Sequence, residues 1–171
     1  AMLNPETDKT VIDPAEMAAL LDKHWGKVLS AKPTDFSRLP EWLSAIQANL
    51  PPPGDPRWNI TETHIEDAIK YCHESAPGPD GIPYSAYKAM AETAIPILLA
   101  IATSLTSEHP LIPPEDFNWA YLVCLPKEPS KVDPIHGEVS APSKTRLLSI
   151  ANTDNRLIAG AIRLAMEPIF N

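Results

Sequence analysis

The stretch Ser75–Lys88 reads Ser-Ala-Pro-Gly-Pro-Asp-Gly-Ile-Pro-Tyr-Ser-Ala-Tyr-Lys and joins a tight turn to the start of a helix. Pro79-Asp80-Gly81 has the chemistry of the turn, because proline presets φ at the first central position and aspartate hydrogen-bonds to the backbone two residues on. Pro83 then suits the first turn of a helix, where a missing N–H has no partner to lose. We therefore predict a turn followed by a short helix over residues 84–90.

Upstream of this turn the sequence first predicts two amphipathic helices. Asp13 is the expected N-cap of a helix that starts at Pro14 and runs to about Leu29, with apolar residues at helical spacing. A second, short helix is expected to start at Pro40. The prolines of residues 50–56 prevent that helix from continuing.

A third helix is predicted to lead directly into the turn. Thr61 or Thr63 can serve as its N-cap, and Thr63 together with Glu66 would form a capping box. His64 and His73 are not accompanied by a cluster of further ligands, so we expect capping or solvated histidines and no metal site. The apolar stripe of this helix consists of Ile65, Ala68, Ile69 and Cys72.

Downstream of the turn we predict a buried helix, two strands and a closing helix. Residues 91–107 form the most apolar segment and a core helix that is kinked or started near its proline. Residues 121–125 and 145–150 have the composition of strands. The polar segment between Lys127 and Lys144 contains too many prolines and glycines for regular secondary structure to be expected. A helix over residues 153–166 faces inward through Leu157, Ile158, Ala161, Ile162 and Ala165.

The composition indicates a folded chain of about one domain. Its 171 residues are 44% apolar, and its 20 prolines punctuate apolar segments instead of forming a low-complexity tract. Cys72 and Cys124 lack metal-ligand spacing, so we expect buried free thiols in a reducing, intracellular compartment, the cytoplasm or the nucleus. No apolar run has the ~18 residues needed to span a membrane. Ala1-Met2 is typical of a cloning remnant, so the natural start is expected upstream.

The net charge of −8 at first argues against a nucleic-acid-binding protein, but the charges are unevenly distributed. Up to Phe117 the chain has 8 Lys and Arg against 17 Asp and Glu, a balance of −9. From Asn118 onward 6 basic residues stand against 5 acidic ones, a balance of +1. The acidic surplus is therefore N-terminal, and the C-terminal third is mildly basic.

Three segments together resemble the reverse transcriptase domain of non-LTR (LINE-type) retrotransposons. The segment Ala76–Lys88 is similar to the opening motif of that domain. Trp119–Lys127 looks like the family's strand that ends in Pro-Lys, and Arg146–Arg156 looks like its next strand and the helix that follows. The three motifs occur in the family's order, and the resemblance covers the chain from about Val11 to the C-terminus.

The resemblance implies an α+β fold that is mostly helical, the fingers-type fragment of a reverse transcriptase with one β-hairpin packed on helices. Residues 1–56 would be an N-terminal helical extension that ends in a proline-rich linker. Residues 57–171 would be the fingers region.

The resemblance also implies that Lys127 and Arg146 hold the incoming nucleoside triphosphate. Lys127 closes the first strand and Arg146 opens the second, so a hairpin would bring them side by side. A triphosphate carries about four negative charges, which arginine binds through its planar fork and lysine as a point charge. The alternative is two solvated charges at strand ends. Leu147 departs from the family, which usually has proline there.

For Gly78, Asp80 and Gly81 the resemblance implies a loop that lies against the template RNA. Backbone N–H groups left accessible by glycine would meet phosphate or 2′-hydroxyl oxygens. Asp80 would form the turn and not act as a catalyst, because a carboxylate without a metal repels phosphate. Tyr84 and Tyr87 can stack on bases, but their spacing on a helix favours a position in the core.

According to the resemblance, the catalytic groups lie outside this sequence. Reverse transcriptases hold two metal ions through aspartates of the palm, which follows the region covered here. We therefore expect no catalytic residue and no cofactor in this chain, with Mg²⁺ bound by the missing palm. Asp154 is expected to cap a helix or to contact Arg156.

The expected function is to bind template RNA and the incoming nucleotide within an RNA-directed DNA polymerase. The expected partners are template RNA or an RNA/DNA primer-template, dNTP, and the palm and thumb of the same polymerase, with no membrane. Fingers without a palm would expose apolar surface, which predicts self-association. Two other hypotheses remain: a non-catalytic RNA-binding or protein-interaction module derived from a retroelement, and a structural fragment that binds nothing measurable alone.

Overall fold

The computed structural model describes residues 1–47, 50–110 and 112–170, which form an α+β fold with small two-stranded sheets. In chain order the elements are β1 (Met2–Asn4), β2 (Lys9–Val11), α1 (Pro14–Leu29), α2 (Leu39–Gln47), α3 (Glu62–Tyr71), α4 (Tyr84–Ala89), α5 (Ala91–Leu105), β3 (Ala120–Pro126), β4 (Lys131–Asp133), β5 (Gly137–Val139), β6 (Thr145–Ala151) and α6 (Thr153–Phe170). Single 3₁₀ turns occupy Pro56–Trp58, Glu115–Asn118 and Pro142–Lys144.

The predicted helices are confirmed, and the expected cap is found at the start of α1. Asp13 caps α1, because its Oδ1 accepts a hydrogen bond from the N–H of Glu16 at 2.9 Å. The capping box predicted for Thr63 with Glu66 is wrong. The N-cap of α3 is Thr61, whose N–H donates to Nδ1 of His64 at 3.1 Å, so the histidine takes the reciprocal role usually played by glutamate.

The core of the helical part forms where α3, α5 and α6 pack together. Ile65 is fully buried and Leu157 is 2% exposed, and burying such a side chain contributes about 1.5–3 kcal/mol. The predicted apolar stripes of α3 and α6 supply most of this core, as expected. Its buried members are Ile65, Ile69, Tyr84, Ala94, Leu98, Ala102, Leu157, Ile158 and Ala161.

The segment between Lys127 and Lys144 contains two short strands, so the prediction that it has no regular structure was wrong. β4 and β5 pair antiparallel, with Val132 opposite Glu138. The turn between them closes on Asp133, whose Oδ1 accepts from the N–H groups of Ile135 and His136 at 2.9 Å each. Gly137, at φ 71°, takes the left-handed conformation that ends the turn.

A second hairpin, at the N-terminus, was missed by sequence reasoning. β1 and β2 pair antiparallel, with Leu3 opposite Thr10. The N–H of Leu3 donates to the carbonyl of Ser140 at 3.1 Å, and Leu3 packs with the buried residues Val139 and Ala141. Each strand has three residues, too few for an alternating pattern to be recognised.

The chain divides into two compact units. One comprises residues 1–35 and 122–149, and the other comprises residues 36–121 and the segment from 150 onward. The sequence-based division at residue 56 differs from this one. Within the described ranges, no helix is long and apolar enough to cross a membrane.

Candidate functional site

The turn at the centre of the sequence has the predicted geometry. The N–H of Gly81 donates to the carbonyl of Gly78 at 3.0 Å, and Gly81 has φ 72°. Oδ1 of Asp80 accepts from the N–H of Ile82 at 3.0 Å. Asp80 is therefore a turn-forming residue, as expected, because its carboxylate is bound to the backbone two residues on.

The turn lies directly on the junction between β6 and α6. Gly78 is buried, and a β-carbon on it would overlap the backbone nitrogen of Asn152 and come within 2.6 Å of the carbonyl oxygen of Ala151. Oδ1 of Asn152 accepts from the N–H of Asp80 at 3.1 Å. Glycine at position 78 is thus required for the close approach of the β6–α6 junction, which belongs to the same chain.

The exit of the turn is held by the first residue of α6. Thr153 is fully buried, and its Oγ1 donates to the carbonyl of Ile82 at 2.6 Å. Asn152 and Thr153 lie within the segment Arg146–Arg156, and the sequence predicts no role for either of them. Their only sequence signal is that of an ordinary helix start, because Asn and Thr are common there.

These contacts limit how a ligand can meet the turn. The N–H groups of Asp80, Gly81 and Ile82 each already donate within the chain, so a phosphate or hydroxyl that accepted from one of them would replace an existing bond. Gly78 is buried against protein. The surface left for a ligand is the exposed outer side of Asp80 and Gly81, where no atom lies within 4 Å of the position of a β-carbon on Gly81.

The two tyrosines after the turn belong to the core or its margin. Tyr84 is 8% exposed and is a member of the buried cluster, which confirms the expected core position. Tyr87 is half-buried and packs against the same cluster. Burial, together with the nearby carboxylates of Asp154 and Asp80, raises the pKa of Tyr87 to about 12.

Asp154, which was expected to cap a helix or to contact Arg156, lies in the first turn of α6. Its Oδ1 accepts from the N–H of Asn155 at 2.6 Å. The Asn155 side chain in turn donates to the carbonyl of Phe117 at 3.1 Å and to Oδ1 of Asn118 at 2.9 Å. Arg156 instead reaches the segment that enters the turn, through Ser75 and Ala76.

The two predicted triphosphate-binding cations lie near each other along the backbone. The N–H of Lys127 donates to the carbonyl of Lys144 at 2.9 Å, and Arg146 follows Lys144 by two residues. Both side chains are exposed. Over the described part of the chain, neither has a hydrogen bond or an ion pair with another side chain.

Neighbouring lysines of this unit are neutralised by carboxylates. Lys144 donates to Oε1 of Glu128, and this bond lowers the pKa of Glu128. Lys131 pairs with Oδ2 of Asp8 at 2.7 Å. An anionic ligand would have to displace these partners from Lys131 and Lys144, whereas Lys127 and Arg146 are held in no ion pair within the described ranges. The charge of Lys127 nevertheless acts on the adjacent Glu128 and contributes to its lowered pKa.

Among the residues that the structure describes, no group of three or more histidine, cysteine, aspartate or glutamate side chains is arranged to hold a metal ion. Cys72 and Cys124 are free and half-buried. No protein-family model matches the chain.

Proposed function

We propose that this chain is the template-RNA-binding and nucleotide-binding part of an RNA-directed DNA polymerase of the LINE-type retroelement class, the fingers region of a reverse transcriptase. The observation that carries the proposal is the contact of Gly78 and Asp80 with Ala151 and Asn152. These residues belong to two of the three segments that resemble the family, and they are about 70 residues apart in the sequence. Segments that act together in one site are expected to meet.

The pair Lys127 and Arg146 supports the nucleotide-binding half of the proposal. A triphosphate needs exposed cations, and both of these side chains are exposed. Within the described ranges neither is held in an ion pair, although the charge of Lys127 acts on the adjacent Glu128 and helps to lower its pKa. Arginine offers a planar fork to two oxygens, and lysine adds a point charge. The proposed role is binding, since the metal-bound carboxylates of the resembled enzymes belong to the palm.

Nucleotide binding can be tested by equilibrium dialysis of a labelled dNTP against the chain bound to an RNA/DNA primer-template with a 5′ overhang. We expect Arg146→Ala and Lys127→Ala each to weaken dNTP binding by about tenfold, the loss expected for one charge-assisted hydrogen bond. Lys32→Ala is the matched control, because Lys32 is exposed in the same compact unit and outside both strands. Equal losses in all three variants, or no dNTP binding by the wild type, would contradict the nucleotide-binding role.

Template binding is tested separately with a fluorescently labelled RNA and a salt titration. We expect the logarithm of the association constant to fall linearly with the logarithm of salt concentration, with a slope of about −0.7 per phosphate contacted. Salt-dependent RNA binding without any dNTP effect would favour the non-catalytic RNA-binding module. An absence of salt-dependent RNA binding would refute the template-binding role.

A further inference from the structure

Arg156 lies in the first turn of α6 and reaches across to the segment that enters the turn. Its Nη1 donates to Oγ of Ser75 at 2.8 Å, and its Nη2 donates to the carbonyl of Ala76 at 2.8 Å. A weaker contact of Nη2, at 3.5 Å, reaches Oγ1 of Thr153. The guanidinium thus holds two consecutive residues that lie 80 and 81 positions earlier in the chain.

The surroundings of this guanidinium are unusual for an arginine. Its central carbon lies 4.8 Å from the centre of the buried Tyr84 ring. Its Nε is buried without a hydrogen-bond partner, and in the described ranges no carboxylate pairs with the side chain. Both short hydrogen bonds of the guanidinium therefore go to neutral acceptors of the segment that enters the turn.

The other contacts of the turn complete a three-point attachment. Arg156 holds the entry at Ser75 and Ala76, Asn152 holds the centre at Asp80, and Thr153 holds the exit at Ile82. All three holding residues lie within five positions of one another at the start of α6. The conformation of residues 75–82 is therefore set by one short segment.

We propose that Arg156 is the positioning residue of this turn: it fixes residues 75–82 in the conformation in which Asp80 and Gly81 face the template strand. This inference rests on the proposed function for the identity of the ligand. Arginine is required because its planar fork spans an acceptor on each of two consecutive residues while its face covers an aromatic ring. Lysine keeps the charge but supplies neither the fork nor the flat face.

The first measurement is hydrogen exchange of the amides of Asp80, Gly81 and Ile82, which needs no ligand. We expect Arg156→Ala to accelerate their exchange by about tenfold, while the amides of α3 keep their protection. We expect Arg156→Lys to exchange as fast as the alanine variant. Ser75→Ala removes one acceptor at an exposed position and should give a smaller acceleration of the same amides.

Arg163→Ala is the matched control. Arg163 lies two turns further along α6, is exposed and pairs with Glu167 at 3.0 Å, its one ion pair among the described residues, so its removal should leave the exchange of the turn unchanged. Unchanged exchange of the turn in Arg156→Ala would overturn the inference. So would an equal acceleration in α3, because that result would mean that Arg156 stabilises the whole unit and not the turn.

The second measurement is RNA affinity, made at a temperature at which wild type and variants are all folded. We expect Arg156→Ala and Arg156→Lys to lose about tenfold in affinity while Arg163→Ala retains it. Faster exchange of the turn with undiminished RNA affinity would overturn the positioning role. If the wild type binds no RNA, the proposed function fails, and the exchange data still decide whether Arg156 sets the turn.

Discussion

Gly78 lies so close to Ala151 that a β-carbon on the glycine would come within 2.6 Å of the alanine's carbonyl oxygen. Backbone atoms on both sides of this contact leave no flexible side chain to move aside. The contact therefore fixes where the Gly-Pro-Asp-Gly turn sits on the β6–α6 junction, and it makes position 78 intolerant of any side chain.

We expect Gly78→Ala to lower the free energy of unfolding by about 1–3 kcal/mol, the range typical of overpacking. Gly160→Ala is the matched control, because a β-carbon on this residue of α6 would lie 3.8 Å from that of Ala68 in α3, an ordinary van der Waals contact. That control should be neutral or stabilising by up to about 1 kcal/mol, since glycine is a poor helix former. Urea denaturation measures both. A Gly78→Ala variant as stable as the wild type would contradict the close approach.

Thr153→Val should lower the free energy of unfolding of the compact unit that contains α3, α5 and α6 by about 1–3 kcal/mol. The isosteric valine leaves the carbonyl of Ile82 without its hydrogen-bond donor. Thr153→Ser keeps the hydroxyl and should cost less than valine. Thermal unfolding of both variants gives the comparison. If serine costs more than valine, the methyl group and not the hydrogen bond is the important feature of this side chain.

Trp25 attaches α1 to the start of β6, because its Nε1 donates to Oγ1 of Thr145 at 3.1 Å. Thr145 is 2% exposed and itself donates to the carbonyl of Pro142 at 2.7 Å. We expect Trp25→Phe to lower the free energy of unfolding by about 0.5–1.5 kcal/mol more than the lost packing alone would. Trp42→Phe, on an exposed tryptophan of α2, should cost less. Chemical denaturation distinguishes the two, and equal losses would argue against the hydrogen bond.

Asp133 makes the hairpin of β4 and β5 sensitive to acid. The hydroxyl of Thr10 at 2.5 Å, followed by the N–H groups of His136 and Ile135, lowers the pKa of Asp133 from 3.8 to about 2. A lowered pKa in the folded state means that the stabilisation is complete above about pH 4 and is lost as the pH falls towards 2.

The stability of Asp133→Asn should therefore be lower than that of the wild type at neutral pH, and the difference should shrink between about pH 4 and 2. Thr10→Val keeps the carboxylate but removes its strongest partner, so it should show a smaller acid-dependent loss than the wild type. Unfolding curves at several pH values provide the test. A difference between wild type and Asp133→Asn that does not change with pH would contradict the lowered pKa.

Local signals predicted much of the fold. The cap at Asp13, the apolar stripes of α3 and α6 and the Pro-Asp-Gly turn each depend on residues within a few positions of one another, and each is found in the structure. The signals failed where an element was too short to show a pattern. The hairpins β1–β2 and β4–β5 have three residues per strand, so side-chain bonds and contacts with distant segments outweigh strand propensity there.

For the candidate site, the sequence determined which residues form the turn and which cations stand near the strand ends. Only the tertiary structure decided what the turn rests on. Asn152, Thr153 and Arg156 contact it at sequence separations of 71 to 81 positions, and no local pattern encodes those contacts. The physical reason is that turn and helix propensities act between neighbours in the chain. Contacts between distant residues form only when burial of the common core outweighs the entropy lost in closing the loop between them.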